Sequence, residues 1–139
     1  MADFMSAHAF VKPNEGVYSD DADDAGGETY KGYARRRNPL WLGWPIIDGY
    51  KCKYRGEAFL AALERDEALQ RLILDSYKVN YWDRIWGDRI VDQGIATQMY
   101  DTAVNKGPKV SIRFAEMSVG MGATGVMSKT LLNRLNEMV

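Results

Sequence analysis

Glu15 stands where an apolar segment meets a run of acids. Phe10 and Val11 come shortly before it, and Asp20, Asp21, Asp23, Asp24 and Glu28 follow. A carboxylic acid partly buried beside apolar groups has its pKa raised, which suits a general acid near neutral pH. The acids that follow offer a second carboxylate to stabilise positive charge or to orient water. Two carboxyl groups in unlike surroundings, facing one bond, are what glycoside hydrolysis requires. The same spacing also describes a solvated residue at a helix end, so residue types alone propose this chemistry without fixing it.

Other constellations fail on their spacing. Asp21, Asp23 and Gly26 fit the first, third and sixth places of a calcium-binding loop, but Ala25 takes the fifth and Gly32 replaces the bidentate glutamate. That rejects an EF-hand and leaves weak cation binding. Gly122 to Thr130 has no glycine before Lys129, so a phosphate-cradling loop is absent. Arg35, Arg36 and Arg37 would point in three directions from a helix, a poor nucleic-acid patch. Trp41, Trp44, Trp82 and Trp86 have faces on which sugars stack, but their apolar neighbours suit a core. One cysteine (Cys52) and one histidine (His8) exclude an internal disulfide and a histidine metal site. No metal and no cofactor is expected.

The chain has 139 residues, 46% apolar and 27% charged, with a net charge of −1. That suits one compact domain or two small lobes, and excludes a disordered tail. No global field draws it to nucleic acid or a membrane surface. No stretch approaches the roughly 18 apolar residues of a membrane span. The N-terminus shows no basic region followed by an apolar core and a small-residue cleavage site. The expectation is synthesis in the cytoplasm without a signal peptide, with any outside action needing a separate release route.

The elements that must position these groups read as helices. Phe4, Ala7 and Phe10 suggest a short amphipathic helix that Pro13 ends. Residues 16–32 read as a polar loop or small hairpin, and Tyr33 to Arg37 as the start of a second helix, broken at Asn38-Pro39. Gly56 to Ile85 is helical, with Asp66 as an N-cap before Leu69, Leu72, Ile73 and Tyr77. Asp92 to Lys106 repeats the pattern, Gly107-Pro108 ends that helix and opens the next, and Ser128 caps the last. Trp44, Ile47, Leu72, Ile73, Tyr77, Met99 and Ala103 are expected in the core, and Met117, Met121 and Met127 as gap fillers. The fold class is mainly α, with one acidic loop or small hairpin after the first helix.

The run from Glu15 to Gly32 resembles the N-terminal signature of glycoside hydrolase family 108, roughly E-G-G-Y-x-N-D-P-x-D-P-G-G-x-T-x-x-G, without a gap. Val17, Asp20, Ala22 and Ala25 depart from it. The similarity continues through Tyr81 to Asp88 and Tyr100 to Pro108. From Pro108 the chain resembles the family's peptidoglycan-binding segment, which the family extends by a further helical tail. The resemblance implies a lysozyme-like domain over 1–107 and an abbreviated wall-binding helical segment over 108–139.

What the resemblance implies for function is cleavage of the β-1,4 bond between N-acetylmuramic acid and N-acetylglucosamine in peptidoglycan. Glu15 matches the family's catalytic glutamate. Asp24 or Asp21 would stabilise the oxocarbenium-like state or orient water. Thr29 would hold a nucleophilic water, since phage lysozymes place Glu, Asp and Thr in that order at a similar spacing. Tyr18 and Tyr30 would contact sugars, Asp101 and Asn105 would line the far wall of the cleft, and Asp20 and Asp23 would be exposed or cap backbone. The implied partner is the glycan strand, with no nucleic acid and no membrane insertion. The site of action is the cell wall, reached through a holin or a secretion route. A wall-binding or secretion-assisting protein with little catalysis is the alternative.

Overall fold

The computed structural model describes residues 1–11, 17–21, 23 and 27–138. Glu15 and Asp24 therefore lie outside the described residues. The chain divides into two compact units, one comprising Met1–Pro13 with Tyr77–Val139, the other Asn14–Ser76. Helices dominate, as expected for a mainly α fold, and the described strands form a single small sheet.

The first unit is built on α1 (Phe4–Val11), α5 (Gln93–Lys106), α6 (Pro108–Ser118) and α7 (Lys129–Glu137). Phe4, Ala7, His8 and Val11 are the buried residues of α1. Phe10, expected on that stripe, is exposed. The true spacing is i, i+3, i+4, i+7, whereas a strict i+3 repeat drifts around the helix. Phe4, His8, Tyr77, Trp82 and Tyr100 form a ring cluster with centroids between 5.2 and 6.1 Å apart. His8 Nδ1 lies 2.8 Å from the Tyr100 hydroxyl, which makes this histidine a satisfied core residue. A π-helical turn (Lys78–Trp82) and two short 3-10 turns connect α4 to α5. Gly87 is required there, since a Cβ would meet the buried Trp82 ring at 2.2 Å.

Helix ends follow the sequence signals. Asp92 caps α5 by accepting the Ile95 N–H. Gly107, at φ +100°, ends α5, and Pro108 occupies the first turn of α6. Ser128 caps α7 by accepting the Leu131 N–H. Met127 is buried as a gap filler, but Met117 is exposed. Among the described residues, no helix is long and apolar enough to cross a membrane.

The second unit holds an antiparallel sheet and three helices. Strands β1 (Tyr18–Asp20), β2 (Glu28–Tyr30) and β3 (Tyr33–Ala34) pair in chain order. Helices α2 (Gly43–Lys51), α3 (Gly56–Arg65) and α4 (Glu67–Tyr77) follow. Tyr33, expected to start a helix, instead pairs with Tyr30. The cause is the Lys31-Gly32 turn, where both residues have positive φ (47° and 82°). That is the geometry of a two-residue hairpin whose twist matches its strands. Asp66 caps α4 as expected, accepting the Leu69 N–H. Leu69 and Ile73 are buried on α4, whereas Leu72 is only half-buried. Trp44 and Ile47 anchor α2 in the core.

Candidate functional site

The signature residues fold as the β1–β2 hairpin. Residues two apart on a strand share a face. The register sets Tyr18 opposite Tyr30, Ser19 opposite Thr29 and Asp20 opposite Glu28. Tyr18, Asp20, Glu28 and Tyr30 therefore occupy one face, and Ser19, Thr29 and Ala34 the other.

The first face is anchored. Tyr30 is fully buried, and its hydroxyl accepts a hydrogen bond from Gln70 Nε2 at 2.9 Å. Burial pushes its phenol up to about 12. The Tyr18 hydroxyl donates to Glu28 at 2.6 Å, and its ring packs edge-on against Phe59 at 5.0 Å. Burial, and then the bond to Glu28, push Tyr18 up to about 12. Tyr30 thus has no ring face open to a sugar, and the Tyr18 hydroxyl is committed to Glu28.

Glu28 is the hub of this face and was not among the expected site residues. Its side chain is 9% exposed. It accepts from Tyr18, from Lys51 Nζ at 2.6 Å and from Arg35 Nη1 at 2.9 Å. Burial pushes its carboxyl up, but hydrogen bonds from Lys51, Tyr18 and Arg35 outweigh that and leave it lowered. Arg35 also grips Asp48 with two parallel bonds of 2.8 Å, a bidentate pair. Hydrogen bonding to Arg35 depresses Asp48. Lys51 lies 3.9 Å from Asp20 as well. It therefore offsets a like-charge cross-strand pair, Asp20 and Glu28, that is otherwise unfavourable. Arg35 belongs to the basic run that the sequence reads as solvated.

The acids between the strands behave differently. Asp21 is exposed, and its Oδ1 accepts the Asp23 N–H at 2.9 Å, a local Asx turn. Backbone capping, expected of Asp20 or Asp23, thus falls to Asp21. Asp20 and Asp23 are exposed, as expected. Among the described residues, no cluster of three or more candidate ligands could hold a metal ion.

Asp101 and Asn105 sit together one turn apart on α5, in the other unit. Asn105 Nδ2 donates to the Asp101 carbonyl and carboxylate at 2.9 and 3.0 Å. A groove of about 260 Å³ in that unit is lined by Ile95, Met99, Phe114, Ala115, Leu135 and Met138, among others. No lining side chain is an acid or a base, so it supplies no proton donor.

Thr29 remains as the described candidate on the second face. It is half-buried, at the centre of the sheet, paired with Ser19 and Ala34. Sequence reasoning missed Glu28, Lys51 and Asp48. Glu28 stands at a variable position of the signature, and only the strand register brings it opposite Asp20.

The family model for glycosyl hydrolase 108 matches residues 8–107. That range contains Glu15, the sheet and α5, and leaves 108–139 outside the match. The structure of Brucella abortus SagA is similar, with a TM-score of 0.64 and 25% identity, over 98% of this chain and 70% of that one. No curated protein matches the chain.

Proposed function

The chain belongs to the glycosyl hydrolase 108 family, and on that premise we propose that it is an N-acetylmuramidase cleaving the β-1,4 bond of peptidoglycan glycan strands. The observation that carries this reading is the family match over residues 8–107, which includes the ungapped signature from Glu15 to Gly32. Glu15 protonates the leaving oxygen. Asp24 or Asp21 stabilises the oxocarbenium-like state or orients water. Thr29, on the face of the sheet away from Glu28, binds the attacking water. Asp101 and Asn105 contact the glycan from α5. Residues 108–139 bind the wall, and the protein reaches it through a holin or a secretion route.

The test is incubation with purified sacculi. Release of muropeptides carrying new reducing ends is the expected result. Sedimentation with sacculi without release would instead identify a wall-binding or secretion-assisting protein. Carboxyl groups about 5–5.5 Å apart give retention and about 6.5–9.5 Å inversion, so the anomer released reports the distance between Glu15 and its partner.

A further inference from the structure

Thr29 is the middle residue of a three-residue strand, and so short a strand has little stability of its own. Its register matters, because a one-residue slip sends every side chain to the opposite face. A slip of β2 would bury Thr29 and expose its neighbours. Both neighbours are tied down. Glu28 is held by Tyr18, Lys51 and Arg35. Tyr30 is held by Gln70, and Lys31 by Gln70 at 2.7 Å and Glu64 at 3.0 Å. Glu28 also brings α2 into the clamp, since Lys51 is the last residue of that helix.

An apolar residue at position 28 would pack without the cost of desolvating a charge. What a carboxylate adds is direction: three donors from β1, the turn after β3 and α2 converge on two oxygens. Such convergence specifies one register. We propose that Glu28 is a positioning residue for Thr29, its contacts with Tyr18, Lys51 and Arg35 fixing the register of β2 so that the threonine side chain stays on the opposite face. The clamp itself rests on geometry alone; its consequence for the reaction rests on the muramidase reading above.

A double-mutant cycle tests it. Kinetics are measured on soluble glycan strands, with circular dichroism confirming the folded fraction. Glu28→Gln lowers kcat about 10-fold to 100-fold, the scale of a misplaced reacting group, with KM within about two-fold. In a Thr29→Ala background the same change has no further effect, because the route through Thr29 is already lost. Additive losses, or a loss matching only the unfolded fraction, overturn the proposal. If Glu28→Gln does not fold, Lys51→Met replaces it in the cycle under the same criteria. Hydrogen exchange at β1 and β2 amides gives a readout independent of turnover. Faster exchange there in Glu28→Gln, with α5 unchanged, is expected. A wild type that releases no reducing ends sinks the muramidase reading, and the clamp is then judged by exchange alone, where unchanged β2 protection overturns it.

Discussion

Glu28 and Glu116 are both carboxylates withdrawn from water, and the regions around them satisfy that charge in opposite ways. Around Glu28 the donors are mostly cations carried by other elements, Lys51 on α2 and Arg35 after β3. Glu116, at 1% exposure on α6, takes its described hydrogen bonds from neutral donors of the nearby loop, the Thr124 N–H and hydroxyl at 2.8 Å each and the Gly125 N–H at 2.7 Å, with the Arg113 charge a lesser influence. Gly125, at φ +79°, lets the loop turn there, and a Cβ would lie 2.5 Å from Lys109. The Gly125 N–H is the main force lowering the Glu116 pKa, ahead of the opposing effect of burial. Glu28 thus joins elements distant in sequence and fixes a strand, while Glu116 folds its own following loop. The first arrangement suits a hairpin that must present side chains, and the second suits a scaffold.

The largest expected effect separates chemistry from scaffold. Glu15→Gln keeps size and hydrogen-bonding shape but removes the acidic proton. Turnover of peptidoglycan falls about 100-fold to 10,000-fold, the value of general-acid assistance, with helicity unchanged. Glu116→Gln, in contrast, leaves kcat near wild type. Normal turnover by a folded Glu15→Gln protein would remove Glu15 from the reaction.

Next in size is the stability contrast. Breaking a fully buried ion pair costs about 3–5 kcal/mol. Arg35 and Lys51 side chains are 36% and 34% exposed, so Glu28→Gln should cost about 1–3 kcal/mol once water screening is allowed for. Urea unfolding in low and in about 0.5 M salt sharpens the comparison. The Glu28→Gln penalty shrinks in salt because its partners are charged. The Glu116→Gln penalty changes much less. Equal salt dependence would mean that the two regions do not differ as described.

Acid acts on both carboxylates in the same direction. Each has a folded pKa below the ordinary value of 4.5. Their stabilisation is complete above that value and is lost as pH falls through the folded pKa. Melting temperature should therefore drop below about pH 4.5, and less steeply in the Glu28→Gln variant. An unchanged slope would show that Glu28 does not titrate in this range.

Much of the fold was legible because helices announce their ends locally. Asp66, Asp92, Gly107-Pro108 and Ser128 each mark a boundary through their own side chain or φ, and each does so in the structure. The sheet was half legible. The hairpin over 16–32 was expected, but β3 was not, because Tyr33 to Arg37 lacks strand alternation and the turn puts its first positive φ on Lys31, a residue type that does not announce it. The site was legible only as a signature. That signature specifies a threonine at position 29 and leaves position 28 free. Register, not residue type, gives Glu28 its partners, and register follows from pairing that no local pattern states.

Alkali gives the smallest expected effect and the finest division of the anchored face. Tyr18 and Tyr30 both have phenols pushed up to about 12 from 10.0. A raised acid holds its proton more tightly in the folded state, so the folded protein binds more protons between these values. Stability is then complete below about pH 10 and declines as pH rises from 10 to 12. Lys51 contributes in the same direction, because its pKa is also raised in the fold: burial lowers it, and its interactions with Glu28 and then Tyr18 together more than offset that. Tyr30 is raised first by burial and then by the negative charges of Glu64 and Asp66, with no cation in its hydrogen bonding, since Gln70 is neutral. Tyr30→Phe leaves Gln70 Nε2 its second acceptor, the Leu63 carbonyl at 2.9 Å. That variant should lose about 1–2 kcal/mol less than wild type between pH 10 and 12. Tyr18→Phe removes a titrating phenol and also its contribution to the raised Lys51 pKa, so its alkaline decline should be smaller than that of Tyr30→Phe. Identical alkaline profiles for the two variants would mean that Tyr18 is not coupled to the charged clamp, and that only burial distinguishes these tyrosines from solvent-exposed ones.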